Sequence, residues 1–207
     1  MVQSGLVDRP SVSHYYLVLH LVLAVILMGA MIFLALQLCD PYPSSRTTES
    51  ARSLYRFGWF ILLWFGITMI WGGFVAGLDA GVVYNTFPTM HGYFLPPESV
   101  SMRPWWVNLF ENTAMVQFCH RWLAITLWVL IMLFWIRTWK SDLALGEKTI
   151  VTVLLVVTTI QVCMGIMTLL LGVPVWLGVF HQSGALIVLM ILIWILHRVK
   201  PSQRVAF

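Results

Sequence analysis

Long apolar stretches dominate the pattern of hydrophobic and polar positions along this 207-residue chain. A helix needs about 20 apolar residues to cross the ~30 Å hydrocarbon core of a bilayer, and five stretches of the chain are long enough. The predicted fold class is therefore all-α integral membrane, with five transmembrane helices. The spans are predicted over Tyr15–Leu38, Phe57–Gly81, Val116–Trp139, Thr149–Val173 and Gly178–Leu196.

The connections between the predicted spans are short and polar or rich in turn residues, with one exception. The segment from Val82 to Met115 is long, and it contains several prolines and the pair Trp105-Trp106. Because tryptophan is enriched where a membrane meets water, we expect this segment to form an interfacial flap on one side of the bilayer.

Composition narrows the class of protein further. Charged residues make up 10% of the chain, against about a quarter in ordinary soluble domains. A disordered chain, a disulfide-stapled secreted domain and a nucleic-acid-binding protein are excluded, and the lipid bilayer is the expected surrounding. Cys39, Cys119 and Cys163 form no CxxC motif. The N-terminal residues show no signal or transit peptide.

Basic residues are distributed unevenly between the two sides of the predicted spans. Only Arg9 and Arg103 lie on one side, and Arg121 lies just inside a span. The positive-inside rule therefore places the C-terminus in the cytoplasm or matrix and the N-terminus outside. An external N-terminus without a signal sequence suggests that upstream sequence is missing. The basic side carries Arg46, Arg52, Arg56, Arg137, Lys140, Lys148, Arg198, Lys200 and Arg204.

Three of the six histidines, His20, His120 and His181, lie within the first two turns of their spans, counted from the outer side. At ~1.5 Å of rise per residue they share one layer below the outer surface. An ionisable side chain inside a span is costly and suggests a functional site. The others, His14, His91 and His197, are predicted to be interfacial or solvated.

Two interpretations of the layer stay open. Each imidazole could be neutral and hydrogen-bonded to a neighbouring helix, or two could hold haem iron across the bundle through both axial positions. In the second case Arg121 could neutralise a haem propionate. A zinc site is disfavoured because no Cys, Asp or Glu shares the layer at ligand spacing. A cofactor-free transporter with a histidine-lined path is a further alternative.

Spans one and five show a weak internal similarity. Both have an alanine four residues and an isoleucine six residues after the histidine: Ala24 and Ile26 follow His20, as Ala185 and Ile187 follow His181. We expect residues 1–56 to contain the last helix of a preceding four-helix unit, and residues 57–207 to form a complete four-helix haem-binding unit. Gly72, Gly73 and Gly77 are expected to pack against neighbouring helices, and Asn112 and Glu111 to cap span three.

Four segments in order resemble the C-terminal part of the haem A synthase family, over about residues 5–197. Their sequences are GLVDRPSVSHYYLVLHLVLA (Gly5–Ala24), GGFVAGLDAGVVYNTFPTM (Gly72–Met90), NLFENTAMVQFCHRWLA (Asn108–Ala124) and HQSGAL (His181–Leu186).

The resemblance implies eight transmembrane helices in two similar halves, each with a histidine pair. It implies that His120 and His181 bind a haem b cofactor, while His20 belongs to the site of the substrate, haem O. The implied reaction oxidises the C8 methyl of haem O to the formyl group of haem A, which serves terminal cytochrome oxidases. Haem O synthase would then be a partner.

The chain departs from this family because the first three helices, with the other substrate-side histidine and a catalytic glutamate, are absent. The position three residues before His120 is Gln117, which cannot act as a general base, so no catalytic residue is assigned. We expect a truncated or split protein that works with a missing N-terminal half or as a homo-oligomer, in a bacterial plasma membrane or a mitochondrial inner membrane. The alternative is a non-catalytic haem-binding or electron-relay protein.

Overall fold

Helices account for the architecture of residues 13–39 and 49–201, which are the residues that the computed structural model describes. Five of the helices are long and apolar enough to cross a membrane, so the predicted class of an all-α integral membrane protein with five spans is confirmed. Residues 5–12 of the first motif, which include Arg9, lie outside the described residues, as do Arg46 and Arg204. The helices are α1 (His14–Cys39), α2 (Glu49–Gly77), α3 (Ala80–Val83), α4 (Asn108–Glu111), α5 (Thr113–Trp139), α6 (Leu145–Leu170) and α7 (Val175–Arg198).

The second span differs from its prediction at both ends. Helix α2 begins at Glu49, eight residues before the predicted start, because it continues through a polar turn that a search for apolar residues does not detect. It ends at Gly77, and Asp79 then adopts a left-handed conformation with φ of 50°. The chain re-enters a helix only for the short α3, so the predicted end at Gly81 is four residues late.

The long helices pack as a bundle of α2, α5, α6 and α7, and α1 lies against α2 and α7. Ile61, Ile131, Phe134 and Leu192 are fully buried in the continuous apolar core of this bundle. The glycine face of α2 allows α1 to approach closely, since a Cβ on Gly73 would meet Val18 at 3.0 Å and one on Gly77 would meet His14 at 2.6 Å. The predicted packing role of these two glycines is confirmed.

The inner end of the bundle carries most of the described basic residues. The guanidinium of Arg137 lies 4.7 Å from the ring centre of Phe57, and Arg198 donates to Glu147 at 2.9 Å. His197, beside this pair, is 2% exposed. The prediction that it is interfacial or solvated is therefore wrong, because the end of α7 is enclosed by its neighbouring helices rather than projecting from them.

The outer connection is an ordered cap, built from α3, two 3₁₀ turns and α4. Asn108 donates to the carbonyls of Met102 and Trp105. Asn112 accepts from the backbone N–H groups of Ala114 and Met115, which confirms its predicted capping of α5. The neighbouring Glu111 does not cap. It accepts a 2.5 Å hydrogen bond from Tyr15, which ties α1 to this cap.

Candidate functional site

Two of the three histidines in the predicted layer come together inside the bundle. His120 is near the outer end of α5 and His181 near the outer end of α7. Both helices belong to the same bundle and begin at its outer end, so the two histidines lie at the same end of it. The structure thus joins the two residues that the sequence predicts as a ligand pair, although they are separated by 61 positions in the chain.

The His120 ring lies against a gap in the surface of α2. A Cβ on Gly72 would lie 3.0 Å from Cε1 of this ring, so any larger residue would crowd the space that the ring occupies. Nδ1 of His120 is 3.2 Å from the carbonyl oxygen of Thr68. Because a carbonyl can only accept, Nδ1 carries the proton, and in the neutral ring Nε2 keeps a lone pair.

His181 is held in a similar way by α6. A Cβ on Gly165 would lie 2.7 Å from Cε1 of the His181 ring. Nδ1 of the His181 ring has no hydrogen-bond partner within residues 13–39 and 49–201. The Gln161 side chain donates to the backbone carbonyl of His181 at 2.6 Å, which ties the two helices together at this level.

The donor set of this site fits haem. Haem iron takes two axial ligands from a protein, and a pair of half-buried imidazoles can supply them. Within the described ranges no group of three or more His, Cys, Asp and Glu side chains is placed to hold a metal ion. The neutral His120 ring, oriented by a main-chain acceptor, has the arrangement usual for a metal-binding histidine. Rotation of the His181 ring could let its Nδ1 form the hydrogen bond that it lacks among the described residues.

Arg121 follows His120 in the chain, but its side chain is hydrogen-bonded to the outer cap. Its guanidinium donates to the carbonyl of Tyr84 at 2.8 Å and to the side chain of Gln117 at 3.0 Å. Gln117 in turn donates to the carbonyls of Ala80 and Tyr84. The structure therefore shows Arg121 as a link between α5 and the cap, while its buried Nε has no partner among the described residues.

His20 lies apart from the other two histidines. Its side chain is exposed, whereas Val18 and Val22 of the same helix pack against α2. At 100° per residue His20 lies on the opposite face of α1 from Val18. The predicted layer is thus divided into an internal pair and an outward-facing single histidine.

A carboxylate outside the spans steadies the cap above the pair. The hydroxyl of Tyr84 donates to Glu98 across the loop. Burial and this carboxylate raise the pKa of Tyr84 to about 12. The same hydrogen bond lowers the pKa of Glu98. Tyr84 also offers its backbone carbonyl to Arg121 and Gln117, so the cap and the histidine-bearing helix meet at this residue.

Sequence reasoning did not identify three residues around the pair, which are Thr68, Gln161 and Gly165. Thr68 and Gln161 each lie four residues before a glycine, within apolar runs. Thr68 faces the His120 ring with its main-chain carbonyl, and a carbonyl leaves no signal in a sequence. The paired spacing could have been noticed only once the facing helices were known.

Fold and site together define a polytopic helical-bundle membrane protein with a pair of histidines enclosed near its outer surface. Comparison of the sequence assigns the family. Residues 1–193 match the family described as cytochrome oxidase assembly protein, and the chain belongs to this family.

Similar curated proteins carry the name heme A synthase. That of Nitrosospira multiformis is 41% identical over 97% of this chain and 56% of its own length. The protein of Rhodospirillum centenum is 43% identical over 98% of this chain and 54% of its own length. That of Brucella anthropi is 44% identical over 91% of this chain and 52% of its own length. The chain thus spans about half the length of these relatives. No solved structure matches it.

Proposed function

We propose that this chain is the C-terminal haem-binding portion of a haem A synthase and takes part in haem A biosynthesis. The observation that carries the proposal is the enclosed pair of His120 and His181, each seated on a glycine of the adjacent helix. Membership of the cytochrome oxidase assembly family and the names of the relatives supply the biological context.

In this proposal His120 and His181 hold a haem b through its iron. When bound, the haem supplies one-electron redox chemistry. Thr68 and Gly72 orient the His120 ring through Nδ1, which would leave Nε2 free to bind the iron. The buried Nε of Arg121, which has no partner among the described residues, would be available to donate to a propionate.

The substrate, haem O, would bind on the outward face of α1, where His20 is exposed. A polar imidazole directed at hydrocarbon is costly, which favours a protein or ligand covering this face. We propose that residues 1–56 contribute His20 to that second site and that residues 57–207 form the cofactor-binding unit. The reaction would convert the C8 methyl of haem O to a formyl group, and no general base for it is assigned within the chain.

The remaining assignments follow from the same proposal. A second four-helix half, or a second copy of the chain, would cover the His20 face, and haem O synthase would deliver the substrate. The membrane would be the bacterial plasma membrane, since the relatives named above are bacterial. A non-catalytic electron-relay protein would share the cofactor pair but would not bind haem O at His20.

The test is the reduced-minus-oxidised absorption spectrum of the detergent-purified chain, with the haem identified as its pyridine haemochrome. We expect a low-spin b-type signal near one haem per chain. His120→Ala and His181→Ala should each abolish it, because each removes an axial ligand. His91→Ala is the matched control, since His91 is exposed in the outer loop and should leave the spectrum unchanged.

The His20→Ala variant separates the two sites. It should keep the b-type signal but lower the affinity for added haem O, measured by titration of the purified chain. Full haem content in both His120→Ala and His181→Ala would refute the ligand assignment. Loss of the b-type signal in His20→Ala would refute the two-site arrangement, and unchanged haem O binding in that variant would favour the electron-relay alternative.

A further inference from the structure

The two predicted ligands share one packing arrangement, which occurs twice in the bundle. His120 of α5 lies on Gly72 of α2, and His181 of α7 lies on Gly165 of α6. In each case the glycine belongs to the adjacent long helix that precedes the histidine in the chain. For His120, the carbonyl that faces the ring belongs to Thr68, four positions before the glycine.

Helix geometry explains why the glycine and the carbonyl occur together. Every Cβ of an α-helix tilts toward the N-terminus, so a side chain at one position covers the turn before it. The carbonyl of the residue four positions earlier is part of that turn, where it already accepts the N–H of the glycine. Without a Cβ on Gly72, the second lone pair of the Thr68 carbonyl is open to an imidazole from the neighbouring helix.

We infer that Gly72 and Gly165 are positioning residues for the two haem ligands, each leaving the space in which one imidazole packs; at Gly72 the exposed carbonyl of Thr68 also fixes the orientation of the ring. The inference rests on the proposed function, because it assigns these glycines a role toward the haem. It also distinguishes the two ligands. His120 donates from Nδ1 to Thr68 at 3.2 Å, whereas Nδ1 of His181 has no partner among the described residues.

The main test compares alanine substitutions at matched glycines. Loss of groups that orient a metal-binding histidine typically costs about 10- to 100-fold in metal affinity. We therefore expect Gly72→Ala and Gly165→Ala to lower haem affinity by about tenfold or more, and to change the electron paramagnetic resonance of the low-spin ferric haem. Gly66→Ala and Gly178→Ala are the controls, because a Cβ at either position meets nothing within 4 Å.

Gly73→Ala separates ligand orientation from helix packing. A Cβ on Gly73 would meet Val18 of α1 at 3.0 Å, the same distance at which a Cβ on Gly72 meets His120. Both variants should lower the thermal stability of the chain, but only Gly72→Ala should alter the resonance of the haem. The inference is overturned if Gly72→Ala and Gly165→Ala match Gly66→Ala in affinity and resonance, or if Gly73→Ala alters the resonance equally.

A measurement on the unsubstituted chain covers the case in which an alanine variant does not fold. Nitrogen-15 resonance of the histidine-labelled, haem-free chain reports which ring nitrogen carries the proton, and His120→Gln assigns the signal. We expect the neutral Nδ1–H form at His120, and an Nε2–H form would overturn the inference. If the unsubstituted chain binds no b-type haem, the proposed function fails; if it binds haem and the glycine variants are unaffected, only this inference fails.

Discussion

Removal of the buried carboxylate at the inner end of the bundle should destabilise the chain more than any single surface change there. The carboxylate of Glu147 is 1% exposed and lies in the first turn of α6. It accepts from Arg198 through NH2 at 2.9 Å and through Nε at 3.3 Å. Since Arg198 is at the end of α7, the pair joins the inner ends of two helices.

The size of the destabilisation depends on how exposed the two partners are. Breaking a buried ion pair by removing one member typically costs about 3–5 kcal/mol, because the other charge stays buried without compensation. The Arg198 side chain is 28% exposed and can still reach water in part. We therefore expect Glu147→Gln to lower the free energy of unfolding by about 2–3 kcal/mol, which is roughly a 30- to 140-fold change in the unfolding equilibrium.

The matched control is the exposed pair of Glu49 and Arg52, separated by 3.7 Å on α2. Their side chains are 81% and 43% exposed, so Glu49→Gln should change the free energy by no more than about 0.5 kcal/mol. Both variants would be unfolded in detergent and followed by tryptophan fluorescence. A double-mutant cycle with Arg198→Gln isolates the coupling between the buried partners. The reasoning is refuted if Glu147→Gln costs no more than Glu49→Gln.

Two further predictions concern the outer cap. Glu98 has a lowered pKa in the folded chain. Its contribution to stability is therefore present above its ordinary pKa of about 4.3 and is lost as the pH falls through the lowered value. Tyr84, whose pKa is raised to about 12, contributes to stability below its ordinary pKa of about 10, and this contribution is lost as the pH rises through about 12. Hydrogen exchange over residues 84–101 should show the loss of protection at low pH and at high pH in the unsubstituted chain, and neither loss in Tyr84→Phe. Identical pH profiles of the two proteins would contradict the role given to the pair of Tyr84 and Glu98. Asn112→Ala should cost about 0.5–2 kcal/mol by removing the cap of α5, measured by thermal unfolding, whereas Ser101→Ala should cost less because Asn112 binds it only at 3.4 Å.

The sequence predicted the spans well because a bilayer imposes the same requirement on each of them. Twenty or so apolar residues are needed wherever a helix crosses, and no knowledge of the neighbouring helices is required. The prediction failed at the start of α2, where Glu49 and Arg52 belong to the helix but not to its apolar part. The depth of His120 and His181 followed from the same counting, since helical rise converts position into height.

Packing decided what the sequence could not show. The last residues of α7 read as an apolar run followed by basic residues, which suggested that His197 was solvated. Its burial depends on which helices enclose α7, a tertiary property. His20 and His120 look alike in sequence, yet one is exposed on α1 and the other is enclosed. The hydrogen bond of Arg121 to the carbonyl of Tyr84 also joins distant positions through the main chain.

The two ends of the bundle satisfy their polar groups by different means, and this separates stability from ligand orientation. Near the outer end, the neutral His120 ring needs only one main-chain acceptor, so it can be enclosed among apolar helices without a charged partner. At the inner end, Glu147 and Arg198 are both charged and need each other. Glu147→Gln should therefore lower stability without changing the haem spectrum, whereas Gly72→Ala should change the resonance of the haem more than its packing cost implies. If Glu147→Gln and Gly72→Ala changed stability and the haem spectrum in the same ratio, the two ends would be acting as one unit. The proposed separation of stability from ligand orientation would then be wrong.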